Sequence, residues 1–127
     1  VVIRPSVKIT YPWKLTLGDY AWVGDDAVLY TLGEITIGAN SVVSQKCYLC
    51  TGSHDFMSPH FDITASPVVI GEKCWLATDV FVAPGVSVGD GTVVGARSSV
   101  FKSLPANKIC RGNPAVVIRE RVETEKL

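Results

Sequence analysis

From Val69 to Lys102 the chain reads VIGEKCWLATDVFVAPGVSVGDGTVVGARSSVFK, and an aliphatic residue returns every six positions, at Ile70, Leu76, Val82, Val88, Val94 and Val100. Such a period fits neither an amphipathic helix nor a lone alternating strand, so it specifies a repeat architecture. The other columns are restricted too. Two places before each aliphatic stand Val68, Cys74, Val80, Val86, Thr92 and Ser98, and just after come Gly71, Ala77, Ala83, Gly89, Gly95 and the larger Phe101. Polar and turn-forming residues follow, as in Glu72-Lys73, Pro84-Gly85 and Asp90-Gly91. Each hexapeptide therefore predicts a short strand with two inward side chains and then a corner, where Gly, Pro and Asp suit tight or positive-φ backbone. Three such strands close a triangular coil of eighteen residues, and stacked coils bury one column of aliphatics.

The register extends backwards. Leu17, Val23 and Leu29 form a coil, with Ala21 and Ala27 in the small column; Ile37, Val43 and Leu49 form the next, with Ile35, Ser41 and Cys47. Two interruptions stand out. Leu29 to Ile37 spans eight residues instead of six, which places a bulge within Thr31–Gly33, and Leu49 to Ile70 spans twenty-one, which leaves fifteen extra residues around TGSHDFMSPHFDITASP. The domain organisation expected is one β-helix over 1–127: an irregular opening coil at 1–16, hexapeptide coils at 17–104 with a loop at 50–69, and a C-terminal cap at 105–127. Within that cap, Ala115 to Leu127 has the composition of a short charged helix placed to shield an open sheet edge. A long loop on a rigid repeat is where binding and catalysis concentrate.

Bulk properties narrow the classes. Twelve basic and twelve acidic residues leave no net charge, which removes the electrostatic footprint of a nucleic-acid binder. No apolar run approaches the length of a membrane span and no secretory pattern opens the chain, so the expectation is a cytoplasmic protein without a membrane span. The start at Val1, without methionine, suggests a fragment, a processed protein or a chain lacking some N-terminal residues. Of the four cysteines, Cys47 and Cys74 fall in the small inward column and Cys50 in the Gly/Ala/Ser column, while Cys110 lies beyond the clear repeat. Free cysteine packs there as a small hydrophobe. The second C-x-x-C of a zinc ribbon is absent.

Both histidines of the chain, His54 and His60, lie in the insertion. Imidazole is the side chain whose ordinary range lets it take and return a proton near neutral pH. His54, in T-G-S-H-D at the loop's root, is positioned by the scaffold; His60 lies further out and should be more mobile.

Together the stretches ITIGANSVVSQKCYLCTGSHDF, VVIGEKCWLATDVFVAPGVSVGDGTVVGARSSVFKSLP and GNPAVVIRE, spanning about Leu17 to Arg119, resemble the hexapeptide-repeat acyltransferases. Within that family the likeness is to the colanic-acid acetyltransferases and to maltose, galactoside and nodulation-factor O-acetyltransferases. The resemblance implies an all-β, left-handed parallel β-helix, a homotrimer, acetyl-CoA as acyl donor, a saccharide acceptor, and no metal. It implies His54 as the base that deprotonates the acceptor hydroxyl. Trp75, Thr78 and the backbone amide of Ala96 would line the cofactor groove, and Lys102 and Arg119 would meet its phosphate end. Val116 stands where some relatives carry a further basic residue. Corner residues one coil earlier, Asp25, Asp26 and Tyr30, are candidates for the acceptor's hydroxyls.

Two other classes share the helix. A γ-type zinc carbonic anhydrase needs three protein ligands beside its water, and this chain offers two histidines on one loop. A noncatalytic assembly subunit leaves the loop histidine and the basic residues at the cofactor end without a purpose.

Overall fold

The computed structural model describes residues 1–122. Short parallel strands stack into three faces of a triangular prism. The first face orders Val2–Ile3, Trp22–Val23, Val42–Val43, Trp75–Leu76, Val93–Val94 and Lys108–Gly112 in parallel. The second orders Lys8–Ile9, Val28–Tyr30, Tyr48–Cys50, Phe81–Val82 and Ser99–Val100; the third orders Leu15–Leu17, Ile35–Ile37, Val68–Ile70 and Ser87–Val88. This is the parallel β-helix that the hexapeptide period implies.

Both inward columns are buried. Ile70, Leu76, Val82, Val88, Val94 and Val100 form one core cluster with Val23, Leu29, Ile37, Val43 and Leu49. Buried hydroxyls at the corners tie the coils together. Buried Thr31 accepts the Tyr11 N–H and donates to the Tyr11 carbonyl; Ser41 likewise serves Cys74 and Gly71, Thr51 serves Gly33 and Tyr30, and Thr92 serves Lys108 and Pro105. Each hydroxyl thus bridges its coil to a neighbour, and no buried side-chain N or O among the described residues lacks a partner. Unpaired, each would cost about 1–3 kcal/mol.

Corners stack as well. Asp26, Lys46, Asp79 and Arg97 share a left-handed conformation at φ 59–62° between the first and second faces. Between the third and first faces the backbones approach so closely that a Cβ on Gly38 would meet the Gly71 carbonyl carbon at 2.5 Å.

The two interruptions fall where the period places them. Trp75 pairs with Val42, thirty-three residues earlier, which is one coil plus the fifteen inserted residues. The insertion is a β-hairpin, Gly52–His54 against Ile63–Ala65, with His54 opposite Ile63. Its tip is knitted by Asp55 N–H to the Asp62 carbonyl, Phe61 N–H to the Ser58 carbonyl, and the Ser58 hydroxyl to Asp62, and His60 sits on this hydrogen-bonded turn.

The C-terminal helix expected from Ala115 onward is not formed. Ala115–Glu120 is a strand, antiparallel to Lys108–Gly112 across the Gly112-Asn113-Pro114 turn. The β-branched run Val116-Val117-Ile118 loses side-chain freedom in a helix and fits a pleated surface. The strand still covers the edge of the first face, as the cap was expected to do; residues 123–127 of that expectation lie outside the described residues. Arg121 ties the chain down beyond it, its guanidinium donating to the carbonyls of Lys73 and Gly91 at 2.9 and 3.0 Å.

Candidate active site

The cleft follows from where the hairpin leaves the coil. Thr51, fully buried at the corner between the second and third faces, roots it: its hydroxyl donates to the Tyr30 carbonyl at 2.6 Å and accepts the Gly33 N–H at 2.8 Å, and its carbonyl accepts the Ser66 N–H. The hairpin then overhangs the second face and encloses a cleft of about 290 Å³ lined by Tyr30, Leu32, Tyr48, Cys50, His54 and Ile63.

His54 is exposed at the cleft and held from behind. Its Nδ1 lies 3.1 Å from the Phe61 carbonyl oxygen, and its ring stacks on the Phe61 ring at 4.2 Å and 18°. A carbonyl only accepts, so Nδ1 carries a proton, and in the neutral imidazole the lone pair belongs to Nε2. Phe61 holds φ 53°, a conformation uncommon for a large side chain, with its N–H and carbonyl both engaged by hairpin contacts. Tyr48 stands between Tyr30 and Phe81 at ring distances of 6.4 and 5.9 Å. Burial first, then the neighbouring Cys50 and Tyr30, hold its phenol above the ordinary value, so it remains a donor. Reading the sequence missed Tyr48, Cys50 and Phe61. The alternation in Ile63-Thr64-Ala65 after Ser58-Pro59 was the available sign of a hairpin.

The remaining candidates fall on other parts of the prism. Thr78 and Ala96 stack at the corner between the first and second faces, where Arg97 N–H meets the Thr78 carbonyl at 2.9 Å. Trp75 stands on the first face with its indole N–H donating to Ser44 Oγ, and the register Trp75, Val93, Ile109, Arg119 runs straight across that face. Three strand spacings separate Trp75 from Arg119, about 14 Å. Lys102 is exposed at the corner between the second and third faces, on the His54 side. Asp25 and Asp26 occupy the first–second corner, where Asp25 pairs with Arg4 at 3.2 Å and accepts from Ser6; Tyr30 alone of the acceptor candidates lines the cleft. Within one chain, then, the second face lies between the His54 cleft and the Thr78–Ala96 corner.

A sequence profile described as "Bacterial transferase hexapeptide (six repeats)" matches residues 67–102. The Escherichia coli K12 protein WcaF, named for acetyl transfer in colanic acid biosynthesis, is 87% identical over 125 residues, covering 98% of this chain and 69% of its own. The chain belongs to the hexapeptide-repeat acetyltransferases.

Solved members of the acetyltransferase family share the fold. A galactoside acetyltransferase in complex with coenzyme A superimposes with TM-score 0.90 at 27% identity, covering 94% of this chain and 62% of that one. A hexapeptide-repeat acetyltransferase from Vibrio cholerae O1 biovar eltor, complexed with acetyl coenzyme A, gives TM-score 0.89 at 25% identity over 97% of this chain and 68% of that one. Among the described residues no helix is long and apolar enough to cross a membrane.

Proposed function

We propose that this acetyltransferase moves the acetyl group of acetyl-CoA to a hydroxyl of a saccharide, with His54 as general base. The observation that carries the reading is the His54–Phe61 contact, which puts the lone pair of the neutral imidazole on Nε2, at a cleft walled by two tyrosines. An alcohol needs a base, whereas the thioester is already activated. His54 Nε2 takes the hydroxyl proton as the oxygen attacks the thioester carbonyl carbon; the tetrahedral intermediate collapses, the C–S bond breaks, and the imidazolium returns the proton to the departing thiolate. Ester and free CoA thiol result without a covalent enzyme intermediate.

The site is read as spanning two copies. The cleft and the Thr78–Ala96 corner lie on different edges of the prism, so one edge of a copy meets the other edge of the next. Such a heterologous contact closes as a ring, and three copies suit a triangular prism. The outward surfaces support it: Trp22 and Trp75 on the first face and Tyr48 and Phe81 on the second are large and aromatic, whereas the third shows Thr16, Thr36, Val69 and Ser87. In the ring, Trp75, Thr78 and the Ala96 amide of one copy line the pantetheine. Arg119 and Lys102 carry the phosphates, and Asp25 and Asp26 approach the acceptor held by Tyr30 of the neighbour.

His54→Ala should lower kcat by about 10²–10⁴-fold in a thiol-release assay on a sugar panel, with acetyl-CoA affinity retained. Unchanged turnover removes His54 from the mechanism. Mixing subunits of His54→Ala with an equally inactive Trp75→Ala variant should restore activity at about a quarter of the interfaces; no recovery places the whole site within one copy.

A further inference from the structure

The opening coil carries an aromatic pair that the catalytic cleft does not use. Trp13 is 76% exposed and packs against Tyr11 at 5.1 Å between ring centroids. The Lys14 ammonium lies 5.7 Å from the centre of the Tyr11 ring and donates to the Leu32 carbonyl at 2.6 Å. Leu32 is a wall of the His54 cleft. The Tyr11 backbone is fixed from the same direction, through the buried Thr31 hydroxyl next in sequence to the cleft residues Tyr30 and Leu32. Pro12 sets the turn that turns Trp13 outward.

A lone exposed aromatic needs no explanation. Here two rings and a cation meet at the rim of a catalytic cleft, on the same corner of the prism: Lys14 is anchored on the cleft-wall Leu32, Tyr11 on Thr31 beside it, and Trp13 packs on Tyr11. The Lys14 ammonium has three donors and spends one on Leu32. A flat apolar surface beside free N–H donors matches the chemistry of a sugar ring, which has a C–H face and a rim of hydroxyls. Trp13 and the hairpin root are two coils apart, about 10 Å along the stack. A second ring of an oligosaccharide reaches that far when the first sits at His54.

We propose that Trp13, Tyr11 and Lys14 form a second saccharide subsite, one that holds the sugar adjoining the one acetylated and gives the enzyme its preference for oligosaccharide over monosaccharide acceptors. It rests on the saccharide reading above. The test is kcat/KM across a panel pairing each monosaccharide with its di- and trisaccharides, for wild type, Trp13→Ala and Trp13→Phe. In wild type the longer member of a pair should be favoured. Trp13→Ala should remove about tenfold from that advantage through KM, leave monosaccharide turnover unchanged, and be rescued by Trp13→Phe. Equal losses on both members, or an advantage that survives Trp13→Ala, overturns the subsite. If no sugar is acetylated, the saccharide reading fails by itself, and the Trp13 indole N–H resonance decides the subsite. Movement on titration with the trisaccharides to tens of millimolar supports it. A resonance that is silent, or that moves with protein concentration alone as in a contact between copies, overturns it.

Discussion

Thr51→Val isolates the bond network that roots the hairpin carrying His54. Valine keeps the shape and removes the hydroxyl. The Tyr30 carbonyl retains the Thr51 backbone N–H at 3.2 Å, whereas the Gly33 N–H loses the partner it has at 2.8 Å. An orphaned donor costs about 1–3 kcal/mol, and the added methyl, at a fully buried position, returns about 0.8 kcal/mol. The net loss is about 0.2–2 kcal/mol, a fall in the urea midpoint of up to about 1 M at fixed protein concentration. Because Gly33 adjoins Leu32 and Thr51 adjoins Gly52, both in the cleft wall, KM for the acceptor should rise while KM for acetyl-CoA stays put. Thr51→Ser is the counterpart: it keeps both hydrogen bonds and drops a methyl, for about 1 kcal/mol of stability with both KM values near wild type. Valine behaving like wild type, or serine and valine shifting the acceptor KM alike, refutes the assignment of the cleft's geometry to this hydroxyl.

Two more outcomes follow from the stack. Gly38→Ala drives a Cβ to within 2.5 Å of the Gly71 carbonyl carbon, a backbone atom that cannot rotate away, and should cost about 1–3 kcal/mol or more in thermal or urea unfolding. Burial raises the Cys47 thiol to about 11 from an ordinary 9.0. Below pH 9 both folded and unfolded thiols are protonated and stability is intact; from 9 to 11 only the unfolded thiol ionises, so stability falls across that window. Unfolding midpoints at pH 8 and 10.5 should show the drop, reduced in Cys47→Ala.

The coil register was legible because both inward columns obey it residue by residue, down to the fifteen-residue excess before Ile70 and the two extra residues near Gly33. The expected C-terminal helix was not, since charge at Arg119, Glu120 and Arg121 outweighed the β-branched Val116-Val117-Ile118 in a reading by composition. The hairpin was hidden for a related reason: His54 and Phe61 meet through a backbone carbonyl, and a carbonyl leaves no mark in a sequence. Asp25 and Tyr30 looked like neighbours because corners resemble one another along the chain. Their phase within the eighteen-residue coil puts them on different edges of the prism.

The bridging hydroxyls have a consequence for assembly. Aliphatic columns are nearly interchangeable: a coil displaced by a whole turn would still lay valine on leucine. Thr31 and Thr51 share one corner of the prism and Ser41 and Thr92 another, and each answers an N–H and a carbonyl of the neighbouring coil. These four hydroxyls therefore latch each coil to the next at the corners, with directional bonds where the aliphatic columns supply only apolar contact.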